Sequence, residues 1–166
     1  MDIMHYIEQG GVIMYILLAL NIIGFTIMIF KFLQFLLIDK DKLANEIVNT
    51  LEVQDLSIAK DNILQKMLYF EWGLSTVKTI ASIAPLLGLL GTAIGVLSAF
   101  EAISKQGLGD PSIFAGGISL ALITTVGGLV VAIPHYIGYN YLINMLDALE
   151  ATLNQKITLK ILKSAS

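Results

Sequence analysis

The chain has no cysteine, which removes disulfides, thiolate metal centres and cysteine nucleophiles from consideration and leaves its compartment open. Charge is also scarce: Asp, Glu, Lys and Arg make up 14% of the 166 residues, and the formal net charge is -3. No basic stripe is present to meet phosphates, so nucleic acid is excluded as a partner. There is no Ser/His/Asp arrangement, no phosphate-binding loop and no pair of carboxylates inside an apolar run. The two histidines, His5 and His135, do not stand at ligand spacing. Enzyme chemistry, a resident metal and a cofactor are therefore not expected.

Apolar residues are abundant, at 56% of the chain, and residues 11–30, 79–100 and 111–134 contain no Asp, Glu, Lys or Arg at all. A bilayer core about 30 Å thick takes roughly 20 helical residues to cross, so each run is long enough to span. The expected fold class is an all-α integral membrane protein with three transmembrane helices and helical extensions on one side. The N-terminal run follows no basic segment, precedes no small-residue cleavage site and is too long for a signal peptide. It is expected to be a retained helix in a mature chain beginning at Met1.

Orientation is read from lysine, because cytoplasmic loops collect positive charge. With three spans, Lys31, Lys40, Lys42, Lys60, Lys66, Lys78, Lys156, Lys160 and Lys163 fall on one side and Lys105 on the other. The expected layout is a periplasmic N-terminus over 1–10, a first span over 11–37 and a cytoplasmic helical region over 38–78. A second span over 79–100, a periplasmic loop over 101–110, a third span over 111–134 and a cytoplasmic C-terminal helix over 135–166 complete it. This places the chain in a bacterial inner membrane if the source is Gram-negative.

In the region 38–78, Leu43, Ile47 and Leu51 recur every four residues behind the candidate caps Asp39 and Asp41, and Leu56, Ile63, Leu64, Met67 and Leu68 suggest a second amphipathic segment. After Pro134, Ile143, Met145, Leu146, Leu149, Leu153, Ile157 and Ile161 follow a helical repeat, so the third helix is expected to run on. Asn21 either bonds a neighbouring helix or is tolerated in the first span. His5 and His135 read as interface residues, and Pro85 and Pro134 as kinks or helix starts. Trp72, Tyr136, Tyr139 and Tyr141 suit an aromatic belt.

The second and third runs each carry a stripe of small residues with one threonine. Gly88, Thr92, Gly95 and Ala99 are spaced by four, three and four, and so are Ala121, Thr125, Gly128 and Ala132. That spacing keeps each set on one helix face. Close helix packing accounts for such stripes by itself, since small residues let backbones approach, Gly91 and Gly95 form a GxxxG pair, and threonine can bond its own i−4 carbonyl.

The stretch APLLGLLGTAIGVLSAF (84–100), followed by LALITTVGGLVVAIPHYIGYN (120–140), resembles the paired helices of the ExbB/TolQ/MotA proton-channel family. A GLLGT helix followed by a TxxGLxxAIP helix in one short chain is a fairly specific signal. The resemblance implies a homopentamer whose second and third spans line a central pore, with Thr92 and Thr125 beside the proton-carrying aspartate of a single-span ExbD/TolR-like partner. Gly88, Gly95, Ala99, Ala121, Gly128 and Ala132 would then be the small residues facing that pore. Thr124 fits the family register less well, because the prolines then fail to coincide. The implied function is the pore-forming subunit of a proton-motive-force-driven motor, energising a TonB-like transducer or, in the TolQ-like alternative, a TolA-like one. The chain departs from many relatives at Leu120, where they carry glutamate, and in its short cytoplasmic region. Three spans and a loop of about forty residues argue against the flagellar branch. Outside the family, a structural assembly subunit or a self-contained channel are the competing readings.

Overall fold

The computed structural model describes residues 3–39, 42, 43, 45, 46, 56–107 and 112–164. Those residues form helices only: α1 (Ile3–Gln9), α2 (Gly11–Leu37), α3 (Leu56–Glu71), α4 (Leu74–Gln106) and α5 (Ser112–Ser164). The segments Gly11–Leu37, Leu74–Lys105 and Phe114–Leu159 are long and apolar enough to cross a membrane. In the most apolar stretch of each, no more than 33% of the residues are buried. Most apolar side chains there, such as Ile29, Leu97 and Val130, face outward. A water-soluble protein would bury them; a lipid-facing surface has no need to. The chain is an all-helical membrane protein.

Helix ends follow local chemistry. Trp72 N–H donates to the Leu68 carbonyl at 3.1 Å and Gly107 N–H to the Ile103 carbonyl at 2.8 Å. Gly73 (φ 91°) and Gly107 (φ 82°) take the left-handed conformation just beyond α3 and α4, a conformation that costs glycine little because it has no Cβ. Pro85 and Pro134 lie inside α4 and α5 and start neither helix. Each removes one backbone donor from its ladder.

The chain divides into two compact units. The first comprises residues 1–26 and 77–137, the second residues 27–76 and 138–166. In the first, Leu17 of α2, Ile80 and Ala84 of α4, and Val131 and Ala132 of α5 form a core. In the second, Phe35, Ile63, Met67, Phe70 and Leu74 pack with Leu142, Leu146, Leu149, Leu153 and Ile157. Steps of three and four place each helical set on one stripe. Leu64 and Leu68, expected on the buried face of α3, are exposed, and Phe70 takes part in the core instead. Asp39 Oδ1 accepts from Lys42 N–H at 3.2 Å, as a helix cap would. Asp41, Ile47 and Leu51, with the side chains of Leu56 and Ile161, lie outside the described residues. Lys31 is buried in the second unit, donating to Gln34 Oε1 at 3.2 Å, with its ammonium 5.9 Å from the Tyr69 ring centroid.

Candidate functional site

Within the first unit α4 and α5 run antiparallel with their small-residue stripes face to face. Ala99 lies against Gly117, Gly95 against Gly117 and Ala121, Gly88 against Thr125 and Gly128, and Ala84 against Gly128. A Cβ placed on Gly95 would stand 2.5 Å from the Gly117 carbonyl oxygen and 2.8 Å from the Ala121 nitrogen, and one on Gly128 2.6 Å from the Ala84 carbonyl oxygen. At Gly88, Gly95, Gly117 and Gly128 the two backbones therefore touch directly. Lipid supplies no hydrophobic drive for helices to associate, so such a seam is held by dispersion and interhelical hydrogen bonds, both of which need this close approach. Gly88, Gly95, Ala99, Ala121, Gly128 and Ala132 are all buried inside the chain itself, which corrects the expectation that they face a pore.

Thr92 and Thr125 stand mid-seam, half-buried, with their hydroxyls hydrogen-bonded to one another. Thr92 Oγ1 also lies 3.2 Å from the Gly88 carbonyl of its own helix and 3.1 Å from the Ala121 carbonyl of α5. Thr125 Oγ1 lies 3.4 Å from the same Gly88 carbonyl. Each hydroxyl owns one hydrogen and two lone pairs, so the pair has more acceptors in reach than hydrogens to give. Rotation about either Cβ–O bond changes which acceptor is served. The pair can donate to an incoming carboxylate or accept from a carboxylic acid without moving its backbone. It cannot itself hold the proton, because a threonine hydroxyl does not titrate in the physiological range. No Asp, Glu, Lys, Arg or His occurs between residues 79 and 100 or between 111 and 134. Leu120 offers its backbone carbonyl to the Thr124 hydroxyl at 2.9 Å.

Thr124 is fully buried, with its hydroxyl 2.9 Å from the Leu120 carbonyl and 3.0 Å from the Ala121 carbonyl, and its side chain occupies the notch left by Gly91. It is a packing residue, and Gly91 of the GxxxG pair serves it. Sequence reasoning missed Gly117 and Ala84, which lengthen the seam by one turn at opposite ends. Extending each stripe by a four-residue step finds both. The reading of His135 as an interface residue is corrected: it is fully buried between α2 and α5, because Gly24 leaves a notch that its ring fills.

The sequence profile of the family described as the MotA/TolQ/ExbB proton channel family matches residues 38–155. Among curated proteins, the chain is similar to the biopolymer transport protein ExbB of Neisseria gonorrhoeae, 33% identical over 101 residues that cover 60% of this chain and 46% of the relative. It is similar to ExbB of Aquifex aeolicus, 42% identical over 80 residues covering 48% and 50%. It is also similar to ExbB of Salmonella typhimurium, 31% identical over 124 residues covering 68% and 51%. The chain spans about half the length of these relatives.

Proposed function

Since the chain belongs to the MotA/TolQ/ExbB proton channel family, we propose that it is the pore-forming subunit of an ExbB-like motor in a bacterial inner membrane, driven by the proton motive force. The observation that carries this reading is the Thr92–Thr125 hydroxyl pair, set in a membrane-crossing seam where no residue titrates. Protons cross hydrocarbon only by way of an ionisable group or a water wire, and intramembrane acids mark such routes. The titrating group in this reading comes from a single-span ExbD/TolR-like partner with a membrane aspartate. The threonines orient that carboxyl as it gains and loses its proton. The six small residues set the helix separation in the wall of a homopentameric pore. The output is passed to a TonB-like transducer serving outer-membrane transport, or to a TolA-like one in envelope maintenance.

Proton flux tests the division of labour. Liposomes holding this protein alone should show no flux above the lipid leak, and reconstitution with the aspartate-bearing partner should raise it. Robust flux from the protein alone, persisting in the Thr92→Val/Thr125→Val double variant, would overturn the mechanism.

The proposed orientation rests on the nine-to-one division of lysines. An alkaline phosphatase or fluorescent reporter fused after Ser166 should report the cytoplasm, and one inserted beside Gly107 the periplasm. The opposite pattern would reverse the topology and with it the direction of proton entry.

A further inference from the structure

The first unit holds a groove of about 530 Å³ walled by α1, α2 and α5. Leu17 and Val131, both buried, form its floor, and the exposed side chains of Val126 and Val130 stand at its open side. Tyr6 and Ile7 of α1 line one end, and Asn21 is the lining residue farthest along α2. The chain turns between α1 and α2 at Gly10 and Gly11. Gly10 N–H donates to the Tyr6 carbonyl at 3.0 Å, and Gly11 takes a left-handed φ of 59°, which costs glycine little. That turn brings α1 onto the groove as a third wall.

Among the described residues no charged side chain lines the groove, and Tyr6 and Asn21 are its only polar ones. An apolar space of this kind does not hold water, and left empty it would forfeit dispersion contacts along its whole lining. Hydrocarbon has to fill it, either the helix of another chain or the acyl chain of a lipid. Its dimensions separate the two. Along α5 the groove runs from Leu122 to Val131, about 13 Å at the helical rise. A spanning helix crosses a hydrocarbon core of roughly 30 Å, so it would lie in the groove for less than half of its length. Volume over length gives a mean cross-section of about 40 Å², on the order of half that of a helix about 10 Å across. An acyl chain is thinner than a helix, and two leaflets share the core, so it reaches about 15 Å. We propose that the groove is a phospholipid site, with one acyl chain lying between α2 and α5 and the headgroup at the α1 end. That end is the polar one, since His5, Glu8 and Gln9 of α1 are exposed there and Tyr6 brings its hydroxyl. Walls on three sides set this lipid apart from those that bathe the rest of the surface, and α1 slows its exit. Neither Thr92 nor Thr125 lines the groove, so the site does not depend on the proton-channel reading.

Native mass spectrometry of the full-length protein released from mild detergent tests this. One phospholipid per chain should remain after detergent washes that strip the others. Val130→Trp, which sets an indole at the open side of the groove, should lose it. Leu97→Trp, at a similarly exposed position on α4 outside the groove, should keep it. Photolabelling of the wild type in bilayers decides the matter even if Val130→Trp fails to fold. A phospholipid with a diazirine near the end of one acyl chain should label residues 14–21 and 122–131 several-fold above the rest of the three membrane-crossing segments. A wild type that retains no stoichiometric phospholipid, retention unchanged in a folded Val130→Trp, or label spread evenly over the three segments would each overturn the proposal. So would a bound mass that belongs to the detergent alone. The chain has no cysteine of its own, so Val126→Cys reports on the remaining occupant: efficient disulfide linkage of two copies in bilayers would seat a second copy at the groove in place of the lipid.

Discussion

Replacing Thr125 with valine should abolish energy transduction while leaving the protein folded and assembled. Valine keeps the branched shape and removes only the hydroxyl. What is lost structurally is the bond to Thr92 and the approach to the Gly88 carbonyl. Interhelical hydrogen bonds in membranes are worth on average about 0.6 kcal/mol each, a small fraction of a folding free energy of about 5–15 kcal/mol. Thr92 can then turn its hydrogen to Gly88 or Ala121, so no donor is stranded. Function has no such reserve. With one hydroxyl, the site can no longer give a hydrogen to a carboxylate and keep a second acceptor satisfied. Transduction, measured as motor-dependent uptake or envelope integrity in cells lacking the wild-type copy, should fall to the level of the deletion. Crosslinking to the partner and detergent-solubilised size should stay unchanged. Loss of assembly together with activity would make Thr125 a packing residue, and retained activity would remove the hydroxyl pair from the mechanism.

Gly95→Ala should be strongly destabilising, although alanine is the better helix former. Propensity favours alanine over glycine by about 1 kcal/mol in a helix interior. Against that, the new methyl would stand 2.5 Å from the Gly117 carbonyl oxygen and 2.8 Å from the Ala121 nitrogen. These are backbone atoms and cannot swing aside, so α4 and α5 must separate along the seam. Overpacking of this kind costs about 1–3 kcal/mol and occasionally more, and separation also weakens the Thr92–Thr125 bond less than a turn away. A net loss of about 2 kcal/mol is expected, with transduction falling alongside. Gly116→Ala is the control: nothing lies within 4 Å of its Cβ position, so propensity acts alone and stability should hold or rise by up to about 1 kcal/mol. Unfolding by steric trapping in bicelles or thermal melting in mild detergent separates the two, and equal effects would refute a backbone-contact seam.

The apolar runs were legible in the sequence because hydrocarbon imposes a length and excludes charge, and both can be counted along a chain. The stripes were legible because a four-three-four spacing has a single geometric meaning on a helix. That the two stripes would meet each other within one chain was not, since small residues announce close approach without naming the partner. His135 was misread for a related reason. Its position beside Pro134 near the end of an apolar run suggests an interface, and only Gly24, more than a hundred residues earlier, makes room to bury the ring. In α3, Leu64 and Leu68 are as apolar as Ile63 and Met67, and a run of adjacent apolar residues does not say which face turns inward.

The glycine and alanine seam also sets an unequal tolerance to sequence drift around the two helices. At Gly88, Gly95, Gly117 and Gly128 every replacement adds at least one carbon, and the space for it is already taken by backbone, so no substitution is conservative there. At outward positions such as Leu97, Leu122 and Val130, exposed by 61%, 64% and 64%, no backbone fills the space, and wherever lipid is the neighbour apolar residues can replace one another at little cost. Copies of this protein that diverge over time are therefore free to vary most of the membrane-facing surface, while the four glycines bind the two helices to a single spacing.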